Sequence, residues 1–281
     1  VFKIFIKYKL KELAIAYILG LIMCTAIVVP FCLEYYWTFL IMTIVSIISI
    51  ILYKKGKNLN TLFMITGIIT CYFDFLSTEL ITILVPVLII LTISYKENKI
   101  SNFKNGFKFL IISIIFWCIG YIGMWISKWI LASIILKINA LDYVINDMLF
   151  RINGTGNPER TILARATNLP LRAVDKNIRT IFPIQFLINQ KVLTIVILCI
   201  IITEIIFIRK KDIKKLWFSG LLLIISIIPY IRYLILASHS FSHYFFTFRA
   251  QIVTIIGIVL AIIYSIDEDI AKIEINRKKK H

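Results

Sequence analysis

Apolar runs of around 20 residues recur along this chain, and each is long enough to cross a hydrocarbon core about 30 Å thick. Within lipid no water is present to satisfy backbone N–H and C=O groups, so only helices or a closed barrel can span. The runs are continuous and not alternating, which selects helices. The 281 residues are 60% hydrophobic and 17% charged, more apolar than a soluble domain of this length needs. The expected fold is an all-α, polytopic membrane bundle forming one integral membrane domain over residues 1–281.

Eight spans are read in order: Leu13–Phe31, Thr38–Tyr53, Asn60–Thr78, Leu80–Tyr95, Phe109–Leu136, Val192–Ile208, Leu216–Leu236 and Tyr244–Ile266. The fifth is too long for one upright helix. It reads as a tilted span ending near Ser127, followed by a helix lying at the interface. The net charge of +17 does not indicate nucleic acid, because Lys and Arg sit in short clusters between apolar runs. Five proposed inner segments hold 21 of the 32 Lys and Arg, and the three short outer turns hold none. This is the positive-inside pattern, and it sets both termini on the cytoplasmic side of a cell membrane. The chain begins at Val1 without a signal-peptide pattern and reads as the C-terminal fragment of a longer protein. The cysteines Cys24, Cys32, Cys71, Cys118 and Cys199 lie scattered in apolar segments and read as packing residues.

Residues 138–190 form the long polar segment, an outer-face loop between spans five and six. Three short amphipathic helices on the outer rim are expected there. Asn139 is placed to cap one whose apolar face is Leu141, Val144, Ile145, Met148 and Leu149. Asn157-Pro158-Glu159 opens a second. Leu171, Val174, Ile178 and Ile181 line a third.

Within Cys71-Tyr72-Phe73-Asp74-Phe75-Leu76-Ser77-Thr78-Glu79, an acid interrupts a run free of charge from Thr61 to Thr78. An ionised Asp at membrane depth costs about 2.5–3.5 kcal/mol, so Asp74 faces either a functional cavity or a partner such as Arg232 or Lys128. Arg232 and Arg249 flank the last outer turn, which carries His239 and His243 four residues apart. Those histidines fit three roles: acid/base or phosphate chemistry, a metal pair, or plain interfacial hydrogen bonding. Inner segments use Lys in 19 of 21 cases, whereas seven of the nine Arg lie outside or near the outer ends of spans. The planar Arg fork suits phosphate or carboxylate, so an anionic ligand on the outer face is expected. The alternative is that these arginines cap helices and pair with Asp142, Asp147, Glu159 and Asp175. Trp117, Tyr121, Trp125 and Trp129 recur every four residues, as a lipid or sugar groove or as an interfacial belt. No nucleotide-binding loop, zinc-protease motif or nucleophile elbow is present in the sequence.

Three stretches carry a resemblance: Tyr72 through Thr78, Trp117 through Ser133, and Arg232 through Gln251. They resemble a family of multi-pass proteins of low-GC Gram-positive bacteria, whose general plan is similar to the GT-C membrane glycosyltransferases. Asp74, Lys128, Arg232, His239, His243 and Arg249 match the family pattern, while Glu79 stands where relatives are expected to carry proline. The resemblance implies transfer of a sugar from a polyprenyl-phosphate carrier to a cell-envelope polysaccharide, with membrane lipid and the lipid-linked sugar as partners. Members are usually longer at the N-terminus, and GT-C enzymes typically place a catalytic carboxylate in the outer loop after their first helix. In this chain Asp74, His239 and His243 are the candidate catalytic residues. Arg232, Arg249, Lys128, Arg165 and Arg172 are the candidate phosphate-binding ones. No metal site is assigned, and the residues name no cofactor. The rival reading is a transporter or flippase for a lipid-linked or anionic solute, which predicts midplane charges and an inverted repeat.

Overall fold

A computed structural model describes residues 2–8, 10–31, 36–74, 76–154, 168–182, 184 and 216–278. The described residues are helical, with no strand among them. In chain order the helices are α1 (Phe2–Lys7), α2 (Lys11–Met23), α3 (Tyr36–Lys54), α4 (Asn60–Phe73), α5 (Ile81–Lys96), α6 (Phe103–Leu136), α7 (Ala140–Asn153) and α8 (Leu169–Ile178). They continue with α9 (Trp217–Ile235), α10 (Ala237–Ser242), α11 (Tyr244–Thr247) and α12 (Ile252–Lys278). Tight 3-10 turns cover Ala26–Phe31 and Phe248–Gln251. Four stretches are long and apolar enough to cross a membrane: Tyr36–Lys54, Phe103–Leu136, Trp217–Ile235 and Tyr244–Ser265. Two shorter apolar helices, α4 and α5, stand among them.

Helix α5 is the axis of the bundle. Every residue from Ile81 to Ser94 is buried, as expected for a helix apolar on all sides. Around it α3 packs on α5, α4 on α6, α9 on α12 and α12 on α2. The outer sides carry exposed isoleucines. On α6 these include Ile111, Ile115, Ile119, Ile122, Ile126 and Ile130, a stripe suited to lipid and not to water. Helices α4 and α6 touch backbone to backbone. A Cβ on Gly67 would lie 2.1 Å from the Trp117 carbonyl oxygen, and one on Gly120 would lie 2.0 Å from that of Met64. Only glycine permits this crossing, the small-residue packing that membrane helices use where no hydrophobic force draws them together.

The helices join two chemically distinct ends. At one, Lys54 pairs with Glu97, Lys99 reaches Glu97 at 2.8 Å, and Lys96 meets Glu12 at 2.6 Å. Tyr264 donates to the same Glu12 at 2.9 Å, and Tyr95 stacks on Phe218 with ring centres 4.1 Å apart. At the other end lie Asp74, Glu79, Arg232, His239, His243, α7 and α8.

Several expected boundaries move. The first span breaks after Met23 because Thr25 takes a left-handed φ of 49°, which ends the α-helical ladder before the 3-10 turn. The third helix stops at Phe73 and not at Thr78. Asp74 is extended there, and its side chain offers the following N–H groups an alternative to helical bonding. The predicted division of the fifth stretch near Ser127 is absent: α6 is one helix of 34 residues, about 51 Å long. Lys128 does not break it, because its ammonium leaves the helix to reach the Cys71 carbonyl at 2.7 Å.

Helices occur where α7 and α8 were expected, with different buried faces. On α7 Val144 is buried while Ile145 and Met148 are exposed. On α8 the buried residues are Ala173 and Asn177, and Leu171 is exposed, because the Asn177 amide is drawn inward by carbonyls; of the expected face, Ile181, just past the helix, is buried. The second expected short helix and the Val192–Ile208 span fall outside the described residues, as does Glu159.

Candidate functional site

The site is built on the loop between α4 and α5. Asp74 follows the last helical residue, and its N–H still bonds the Thr70 carbonyl at 2.8 Å. Its carboxylate then turns back on the loop. Oδ1 accepts from the Ser77 hydroxyl and, at 3.3 Å, from the Ser77 N–H, while Oδ2 accepts from the Thr78 N–H at 3.2 Å. Burial, and next the nearby Glu79 carboxylate, raise the Asp74 carboxyl to about 7, with the loop N–H groups and Arg232 opposing. Between these residues Leu76 takes a φ of 65°, a left-handed conformation that costs a side-chain-bearing residue about 1–3 kcal/mol and persists only where its surroundings impose it.

What imposes it is Arg232. From the last turn of α9 its Nε donates to Glu79 Oε1 at 2.8 Å and its Nη2 to Oε2 at 3.3 Å. Nη2 also donates to the Leu76 carbonyl, and Nη1 to the Ser240 hydroxyl at 3.1 Å. Arg232 and Glu79 are both buried. Such a pair holds only when the remaining polar atoms are satisfied, and here protein acceptors surround the guanidinium.

His239, on α10, closes the same carbonyl. Its Nε2 lies 2.8 Å from the Leu76 oxygen and its Nδ1 lies 3.4 Å from Nη1 of Arg151. A carbonyl only accepts and a guanidinium only donates, so both bonds form in one state: neutral imidazole with its proton on Nε2. Burial, then the Arg232 charge, push His239 down to about 4, against the opposing Leu76 hydrogen bond. His243 stacks on His239 with ring centres 4.6 Å apart and lies 3.2 Å, through Nδ1, from the His239 carbonyl. That contact requires Nδ1–H and leaves the proton off Nε2 in the neutral ring.

Beside this cluster a cleft of about 210 Å³ opens between α6 and α7. Leu76, Tyr121, Ile122, Trp125, Met148 and Leu236 give it apolar walls, and Asp147 and Arg151 form its charged corner. Arg151 donates through Nε to Asp147 at 2.7 Å. A second cavity, about 310 Å³, lies across Ile152 against Leu169, Pro170 and Leu234.

The structure therefore gathers Asp74, Arg232 and His239 around one loop, with His243 stacked on His239, and it adds two residues not chosen from the sequence. Glu79, set aside because relatives are expected to carry proline there, is the partner of Arg232. Arg151, read only as one of several outer arginines, lines the cleft. Its signal was present as Asp147 and Arg151 at i, i+4 on one helix face.

The other candidates lie elsewhere. Lys128 sits 5.4 Å from the Tyr72 ring centre and places its charge at the carbonyl end of α4. Arg249 is buried, donates to the Phe245 carbonyl at 3.1 Å and lies 5.0 Å from the Phe248 ring. Arg172 rests on the Phe241 ring at 5.0 Å, beside Lys176 at 4.2 Å. Arg165 lies outside the described residues. In the aromatic row, Trp117 is buried and donates to the Thr82 hydroxyl at 3.2 Å, whereas Tyr121 and Trp125 face the cleft. Among the described residues no group of three or more His, Cys, Asp or Glu is placed to hold a metal ion. No protein-family model, curated protein or solved structure matches this chain.

Proposed function

We propose that this chain is the membrane core of a GT-C-like glycosyltransferase that takes a sugar from a polyprenyl-phosphate carrier for cell-envelope polysaccharide assembly. In this reading the chain crosses the cell membrane eight times, both ends are cytoplasmic, and the Asp74 end faces outward. One observation carries it. An apolar cleft with a charged corner adjoins a buried cluster of carboxylates, arginine and the His239 imidazole at one end of a bundle of membrane-length helices. A lipid-linked sugar phosphate has that same division into an apolar chain and an anionic head.

Sugar transfer needs a base for the acceptor hydroxyl and cations for the departing phosphate. Asp74 is the base in this reading, and a carboxyl raised to about 7 is suited to exchange a proton near neutral pH. Arg232 organises the loop through Glu79 and Leu76. The rival flippase requires charges at the membrane midplane. The charged residues described here collect at the two ends, which favours the transferase.

The test is sugar transfer from a radiolabelled polyprenyl-phosphate sugar by membranes holding the full-length protein at matched levels. Asp74→Asn is expected to keep the fold and abolish transfer. Full transfer by Asp74→Asn would remove Asp74 from the mechanism, and lipid movement between leaflets without transfer would favour the flippase.

A further inference from the structure

We propose that the cleft between α6 and α7 binds the phosphate of a prenyl-type lipid on Arg151, and that this phosphate displaces the Asp147 carboxylate. The inference deepens the transferase reading by naming the anion contact, and it rests on that reading for the class of lipid.

Among the described arginines, Arg232 donates to Glu79, Leu76 and Ser240, and Arg249 is buried against the Phe245 carbonyl. Arg179 pairs with Asp175, and Arg172 lies exposed on Phe241. Arg151 is the one that borders the cleft. Among the contacts of its guanidinium are His239 at Nη1 and Asp147 at Nε. These anchors differ in strength of hold. His239 is 7% exposed and fixed to the Leu76 carbonyl. The Asp147 side chain is 40% exposed and sits one turn away on the same helix, so it can swing out without backbone movement. The pair is only partly buried, with its exposed side at Asp147, and a phosphate offers the guanidinium a charge-assisted bond with more acceptor oxygens.

The walls identify the rest of the ligand. Ile122 and Met148 offer a free phosphate no donor, and the rings of Tyr121 and Trp125 add apolar surface. They continue into the exposed Ile126 and Ile130 of the α6 stripe, so an apolar chain reaches the cleft from the lipid side. Arg151 thus sits where the head of such a molecule stops.

The experiment is equilibrium binding of radiolabelled farnesyl phosphate to the full chain in nanodiscs of zwitterionic lipid, with farnesol and inorganic phosphate as competitors. Wild type should bind farnesyl phosphate and release it to neither competitor at equal concentration. Asp147→Asn should tighten binding about two- to five-fold, the worth of a partly exposed i, i+4 pair. Arg151→Gln should weaken it about ten-fold or more, and Arg151→Lys by less, since Lys keeps the charge and loses the fork. An unchanged or weaker affinity in Asp147→Asn would overturn the exchange. Displacement by inorganic phosphate would make this a free-anion site, and displacement by farnesol a purely apolar one. Either result contradicts the proposal. Binding needs no turnover. A full set of expected affinities without sugar transfer would end the transferase reading and leave the site standing, and transfer without the Asp147→Asn response would do the reverse.

Discussion

Glu79 and Arg232 stand 153 residues apart in sequence and meet in a two-pronged ion pair, with Nε to Oε1 at 2.8 Å and Nη2 to Oε2 at 3.3 Å. The pair ties the α4–α5 loop to the end of α9. Removing one partner leaves the other charge buried, which costs about 3–5 kcal/mol in comparable pairs. Glu79→Ala and Arg232→Ala should each show a loss of that order in thermal unfolding of the detergent-solubilised chain. The double variant should lose clearly less than their sum. Additive losses would mean that the two residues stabilise the fold independently.

The crossing of α4 and α6 depends on Gly67 and Gly120. A methyl on either would overlap a backbone carbonyl that cannot rotate away, so Gly67→Ala and Gly120→Ala should each destabilise by about 1–3 kcal/mol. Gly123 has nothing within 4 Å of its Cβ position, and Gly123→Ala serves as the control on the same helix. Equal melting temperatures for all three variants would refute the close crossing.

His239 gives a pH signature. Its folded value of about 4 lies below the ordinary 6.5, so between those limits the unfolded chain binds the extra proton. Its contribution is intact above about pH 6.5 and declines as pH falls toward 4. Asp74, raised to about 7, acts in the opposite sense over an overlapping range, which hides the effect in the wild type alone. The difference in melting temperature between wild type and His239→Gln isolates it. Relative to His239→Gln, wild type should lose stability from pH 6.5 to 4.5. A difference that stays flat would show that His239 is not held neutral.

Asn177 anchors α8. Its amide donates to the Ala173 and Ser240 carbonyls at 2.8 and 2.9 Å, and its Oδ1 accepts from Thr247 at 2.7 Å. Asn177→Leu keeps volume and orphans these buried groups, at about 1–3 kcal/mol. Hydrogen exchange should quicken in α8 and α10 and stay unchanged in α3. Unchanged exchange in α8 would show that other contacts hold it.

These residues mark what the sequence made legible. The apolar runs placed the helices because lipid leaves a backbone few choices. Asp74, Arg232, His239 and His243 stood out because polar groups in apolar runs are costly, and the structure draws the first three to one loop, with His243 stacked on His239. The partners were harder to see. Nothing local joins Glu79 to residue 232, and the expected family proline pointed away from it. Asn177 gives no local signal, because its acceptors come from Ala173 on its own helix and from Ser240 far along the chain. The end of α4 was misplaced for a related reason: helical periodicity does not register a side chain that captures its own loop.

The membrane orientation has a direct check. In intact cells, cysteines introduced at Asn58 and Asn98 should be shielded from an impermeant thiol reagent, and one at Gly156 labelled. Labelling at Asn98 with protection at Gly156 would invert the proposed topology.

The most direct test of the lipid-phosphate cleft is photo-crosslinking. A farnesyl phosphate carrying a diazirine on the isoprene next to its phosphate is irradiated with the membrane-embedded chain, and the adducts are mapped by mass spectrometry. The expected adducts fall on Ile122, Trp125, Met148 or Ile152, and excess unlabelled farnesyl phosphate suppresses them. Adducts spread evenly along the α6 isoleucine stripe, or concentrated near Tyr95 and Trp217 at the opposite end, would contradict it.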